Sequence, residues 1–95
     1  MYRIGKLTEE GKEFASWQFD ETLNLDEVRG VENTTTGEVI LAIKIDYSDY
    51  LSKKSKGNVH NERTIQTREH EYKLFDDGYD EYLVHVRKLV VLARL

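Results

Sequence analysis

The clearest pattern along the chain is alternation. From Glu38 to Asp46, the positions Val39, Leu41, Ile43 and Ile45 share one face, while Ile40 and Ala42 keep the other apolar until Lys44. Successive side chains in a strand point to opposite faces. A segment apolar on both sides therefore predicts a central strand, or one wrapped inside a small barrel. Further on, Tyr82, Val84 and Val86 alternate with Leu83, His85 and Arg87, ahead of the apolar run Leu89-Val90-Val91-Leu92. A helix would also gather Tyr82, Val86, Leu89, Val90 and Ala93 on one side, but valine loses rotamer freedom in a helix, which favours a strand. Thr64 to Phe75 opens on Thr-Ile-Gln-Thr and predicts a strand that pairs with the C-terminal one across Asp76-Asp77-Gly78. Near the start, Tyr2 and Ile4 alternate with Arg3 and Gly5, and Ala15, Trp17 and Phe19 alternate with Ser16 and Gln18. That predicts a hairpin across Glu9-Glu10-Gly11.

Because the chain has no proline, glycine has to punctuate it. Three polar clusters carry one each: Thr8 to Lys12, Asn33 to Gly37, and Asp76 to Gly78. They lie between strand-like segments, as in a series of hairpins. Helical signals are short. Asn24 followed by Glu27 fits a capping box, Leu23 and Val28 fall at the hydrophobic-staple positions, and Gly30 can close the turn. Thr8 offers a second N-cap for a helix through Phe14. The eight residues Leu7 to Phe14 also resemble a segment of winged-helix DNA-binding proteins; the likeness extends no further, and no residue role is carried over from it. Between the halves, Tyr47 to Arg63 includes Ser52-Lys53-Lys54-Ser55-Lys56-Gly57-Asn58, which has nothing apolar to bury. It predicts an exposed, mobile loop. The expected fold class is mainly β, a small antiparallel sheet or barrel of about five to six strands with one short helical turn. An α+β fold is the alternative.

Composition narrows this picture. A chain of 95 residues has room for one core, so a single domain over 1–95 is expected. With no cysteine, disulfides and thiolate metal sites are excluded. The N-terminus has no signal-like run, and no stretch approaches the ~20 apolar residues of a membrane helix. A cytoplasmic protein that does not enter membranes is the expectation. Charge is uneven: residues 1–52 hold 5 Lys+Arg against 11 Asp+Glu, and residues 53–95 hold 9 against 7. Overall acidity argues against general binding to a phosphate backbone.

Catalytic signatures are absent: there is no cysteine nucleophile, glycine-rich phosphate loop or Gly-x-Ser-x-Gly elbow. No enzyme activity, catalytic residue, metal or cofactor is expected. Glu69-His70-Glu71 does not make a metal site if it is a strand, because the acids would point away from the histidine. His85 beside Arg87 fits a solvated position, and Asp76-Asp77 fits a turn. Two patches remain as partner-binding candidates. One is acidic: Glu9, Glu10 and Glu13, within seven acids from Thr8 to Glu27 that face Lys12 alone. Carboxylates arrayed in this way can compete with phosphates for a basic groove on another protein. The other patch is Tyr47, Tyr50, Lys53, Lys54 and Lys56 with Arg63, whose rings and cations suit single-stranded nucleic acid. The leading expectation is a non-enzymatic protein that binds a larger protein. In composition it resembles phage or mobile-element inhibitors of host nucleic-acid enzymes. A barrel binding single strands through Tyr47–Arg63 and a structural or assembly subunit are the alternatives. Trp17, Leu41, Ile43 and Val86 are expected in the core.

Overall fold

The computed structural model describes residues 1–19 and 22–89. In chain order these form β1 (Tyr2–Lys6), α1 (Glu9–Gln18), a 3-10 turn (Leu25–Glu27), β2 (Val28–Asn33), β3 (Val39–Ile45), α2 (Tyr47–Ser55), β4 (His60–Gln66), β5 (His70–Asp76) and β6 (Glu81–Lys88). The six strands make one sheet in the order β1-β2-β3-β6-β5-β4, curled into a half-barrel. Every neighbouring pair is antiparallel except β3 and β6. The fold is mainly β, as the alternation predicts. Among the described residues, no helix is long and apolar enough to cross a membrane.

Curling divides the apolar residues into three clusters. Inside the half-barrel, Val31, Ala42, Ile65, Leu74 and Leu83 are buried, with Ile4, Ile40 and Tyr72 packed against them. On the outside, α1 and the 3-10 turn cover Val28, Leu41 and Ile43. α2 covers Phe75 and Val84, together with Ile45 and Tyr82. β3 thus has Ala42 inside and Leu41 and Ile43 outside, which explains why it is apolar on both faces. Leu41, Ile43 and Val86 are half-buried.

Several expectations fail, and the failures have local causes. Residues 9–18 form a helix, not the arm of a hairpin. The Thr8 hydroxyl accepts from the Gly11 N–H at 3.0 Å, and Glu9 and Glu10 sit in the first turn, where the helix dipole favours acids. Ala15 and Phe19 are four apart as well as alternating, so they fit a helix equally well. Trp17 then falls about 200° around the axis from Ala15 and is 86% exposed instead of buried. The predicted loop from Tyr47 is also helical to Ser55. It ends in a Schellman motif: Asn58 N–H donates to Lys53 O at 2.9 Å, Gly57 N–H donates to Lys54 O at 3.1 Å, and Gly57 holds φ +75°. Lysine favours helices, and Lys53 and Lys54 sit in the last turn, where the dipole favours cations. Finally, Gly30 closes no turn but pairs with Gly5 and Leu41 inside the sheet.

Other local readings hold. The Asn24 side chain caps the 3-10 turn by accepting from Asp26 N–H at 3.0 Å, while Glu27 N–H donates to the Asn24 carbonyl, so the cap holds but not the reciprocal capping box with Glu27. β5 and β6 pair across Asp76-Asp77-Gly78, where Asp76 accepts from Gly78 N–H and Asp77 from the N–H groups of Tyr79 and Asp80. Thr64 to Phe75, however, is not one strand: a turn in which His70 N–H donates to the Thr67 hydroxyl splits it into β4 and β5, and its Thr-Ile-Gln opening pairs with β5 instead of the C-terminal strand. The run at 90–95 lies outside the described residues, as do Asp20 and Glu21.

Candidate functional site

α1 is held down at Ala15 and the capping Phe19. Ala15 is buried against Val28 of the sheet, and a Cβ on Gly11 would already meet Leu7 and Thr8 side-chain atoms at 3.3–3.6 Å. With the seat occupied in this way, the other aromatics turn outward. Phe14 is 67% exposed and Trp17 86%. They lie three residues apart, and so on neighbouring turns. Glu10 and Glu13 share this surface with them.

Beside Phe14 runs a groove of about 700 Å³ over the outer face of β1, β2 and β3. Its floor is the register pair Gly5–Gly30. A Cβ on Gly5 would meet nothing within 4 Å, and one on Gly30 only a Val39 methyl at 3.9 Å and a backbone oxygen at 4.0 Å. The trough therefore exists because two facing positions lack side chains. Leu7 and Phe14 stand on one side, Val39 and Leu41 on the other, and the Arg3–Glu32 ion pair marks one end.

The acids around this surface are not equivalent. Lys12 lies 3.0 Å from Asp26 and 3.7 Å from Glu9. The Lys12–Asp26 hydrogen bond raises the lysine above its ordinary value and lowers the aspartate below its own. Asp26 is exposed and Lys12 only partly covered, so screening leaves this pair little energetic weight. Glu10 and Glu13 have no ion pair among the described residues. They leave a net negative rim beside two exposed rings.

The second predicted patch is organised differently. Tyr50 is buried, with its ring 5.5 Å from that of Phe75. Its hydroxyl donates to Glu62 Oε2 at 2.6 Å and accepts from Lys54 Nζ at 3.1 Å. Lys73 closes on the other Glu62 oxygen at 2.8 Å. Burial pushes the Glu62 carboxyl up, but the hydrogen bonds from Lys73 and Tyr50 outweigh it and hold the group below its ordinary value. Lys53 lies 4.3 Å over the Tyr82 ring and 3.7 Å from Asp77. Tyr47, Lys56 and Arg63 remain exposed. The structure thus brings Glu10 and Glu13 together on one helix face, puts Glu9 on the same helix next to Lys12, and ties Tyr50, Lys53 and Lys54 into the packing of α2.

Phe14 and Trp17 are absent from the sequence-predicted site. The signal that would have found them is the Thr8 cap followed by Gly11, Ala15 and Phe19 at four-residue spacing. Among the described residues, no three His, Cys, Asp or Glu side chains are grouped to hold a metal ion. The chain matches no protein-family model, no curated protein and no solved structure.

Proposed function

We propose that this chain is a non-enzymatic cytoplasmic binding protein that docks α1 into an apolar cleft with a basic rim on a larger protein. The observation that carries this reading is the pairing of exposed Phe14 and Trp17 with the carboxylates of Glu10 and Glu13, which make no ion pair among the described residues. Aromatic anchors dominate binding energy where they enter a partner's pocket. Charges at the rim steer the encounter and select the partner. An acidic helix face of this kind suits a protein whose own groove takes nucleic acid, since carboxylates there meet cations placed for phosphates. Inhibition of such an enzyme, as phage and mobile-element proteins practise it, is the form of activity most consistent with the charge.

The test is affinity capture with the intact protein, run in parallel with Trp17→Ser, with Glu10→Lys/Glu13→Lys, and with Lys53→Ala/Lys54→Ala. The wild type and the lysine variant should retain the same partner, and the two α1 variants should lose it. Loss of a central aromatic anchor, worth ~2 kcal/mol or more, weakens binding by about 30-fold. Equal capture by wild type and Trp17→Ser would remove α1 as the docking element. Loss only in the lysine variant would return the site to α2.

A further inference from the structure

The inner face of the half-barrel differs in charge from the outer face around α1. At one end of it, four strands adjacent in the sheet each contribute a basic or titratable side chain: Arg29 from β2, Lys44 from β3, His85 from β6 and His70 from β5. They surround a pocket of about 370 Å³ with Ile4, Tyr72 and Leu83 as its apolar lining. Among the described residues no acid lines it, although the chain as a whole carries a net charge of −4. The nearest acid in β5, Glu71, is already engaged by Arg87 at 3.2 Å and by Gln66.

The polar groups are both placed and available. Arg29 is anchored through one nitrogen, which donates to the carbonyls of Asp26 and Val28. Its remaining N–H groups have no partner among the described residues. Lys44 makes no ion pair among them either. His70 Nδ1 and His85 Nε2 are 3.1 Å apart. That contact needs one N–H and one lone pair, so each ring keeps its second nitrogen for a ligand. Their ring centroids lie 5.0 Å from each other, and those of His70 and His85 lie 6.0 and 5.3 Å from Tyr72, giving a small aromatic surface beside the two cations. Burial raises the Tyr72 phenol above its ordinary range, so near neutral pH it stays an O–H donor.

We propose that this pocket binds a nucleotide, with the phosphate between Arg29 and Lys44 and the base against Tyr72 and the paired imidazoles. Cations next to an apolar, ring-lined floor are what a phosphate joined to a flat heterocycle requires. The volume lies near the lower end of the roughly 300–1,000 Å³ typical of small-molecule sites, which suits one nucleotide and not several. That nucleotide is either free or a single unit of a single strand.

The test is an NMR titration of the intact protein at ~20 mM salt, where screening is weak. The probes are adenosine monophosphate, inorganic phosphate and a short oligodeoxythymidine. A nucleotide probe should move the ring signals of His70 and His85 and bind about tenfold or more tighter than inorganic phosphate, a gain equal to one stacked base. Lys44→Glu, at an exposed position, should weaken it by about tenfold or more, and Trp17→Ser should leave it unchanged. Lys44→Gln replaces the reversal if that variant melts differently from wild type. An oligonucleotide that binds much more tightly than the mononucleotide, with a steep salt dependence, identifies a strand as the source; equal affinities identify a free nucleotide. The proposal falls if neither nucleotide probe shifts these signals up to about 1 mM, the ~4 kcal/mol level. It also falls if inorganic phosphate matches the mononucleotide, or if a folded Lys44 variant binds as wild type does.

Discussion

The two helices flank the same sheet, are of similar length, and are seated on it by different side chains. α2 turns Tyr50 inward onto Phe75 and Val84 and surrounds its hydroxyl with Glu62 and Lys54. α1 packs through Ala15 and the capping Phe19 and sends Phe14 and Trp17 outward. In α2 the ring is what the helix is attached by, so the fold accounts for it completely. In α1 the attachment is made without these two rings, and folding gives no reason for two large aromatics at the surface. An exposed aromatic pair on a helix already seated by other residues is where function should be sought.

That contrast can be broken most directly at Tyr50. Replacing it by alanine removes a buried ring and leaves Glu62 without its hydroxyl donor. Urea unfolding should show a loss of ~3–5 kcal/mol, the range for large aromatic truncations; a loss below ~0.5 kcal/mol, the surface-like range, would mean that α2 is not anchored there. Tyr50→Phe keeps the ring and should lose only about 1–1.5 kcal/mol, the net worth of one hydrogen bond.

Acid should weaken α2 before it affects α1. Glu62 titrates below its ordinary 4.5 in the folded chain, so the stability it contributes is present above that value and is lost as pH falls through the lowered one. Melting midpoints should therefore drop below about pH 4, and Glu62→Gln should flatten the drop. An unchanged acid limb in that variant would place the titrating group elsewhere. Glu81 behaves in the opposite way. Its Oε2 is buried with no hydrogen-bond partner among the described residues, and burial raises its carboxyl above 4.5. Stability linked to it is greatest below 4.5 and declines as pH rises through the raised value. Glu81→Gln should then raise the melting temperature at pH 7 by a few degrees, on the order of what 1 kcal/mol gives in a domain of this size, with less gain at pH 4. A fall at pH 7 would show that the charged form has a stabilising role there. The smallest effect belongs to α1. Trp17→Ser should change unfolding stability by less than ~0.5 kcal/mol, and a loss above ~2 kcal/mol would show that the ring is structural after all.

The sheet was legible where side-chain period alone decides structure. β3 shows in its two apolar faces, and the β5–β6 hairpin shows in Asp76-Asp77-Gly78. The helices were obscured for separate reasons. In α1, Ala15, Trp17 and Phe19 satisfy a period of two, and only the Thr8 cap and the spacing of Gly11 resolve the ambiguity. In α2, a lysine-rich segment resembles a solvated loop until its cations are seen to meet Glu62, Asp77 and the Tyr82 ring. Glu9, Glu10 and Glu13 were visible as a local cluster, because they are close in sequence. Arg29, Lys44, His70 and His85 were not, because they lie on four strands and the sheet alone gathers them.

The single parallel pairing has a kinetic consequence. β3 and β6 meet through three register pairs, Ile43–Tyr82, Lys44–Leu83 and Ile45–Val84, which join residues far apart in the chain. On either side, β1-β2-β3 and β4-β5-β6 pair antiparallel over shorter connections. Closing a long loop has an entropic cost before any contact offsets it. The two three-stranded units should therefore form early and the seam late. If so, trimming Val84 at the seam should speed unfolding, with little change in the rate of folding. Disturbing the Gly78 turn, which holds φ +94°, should slow folding instead.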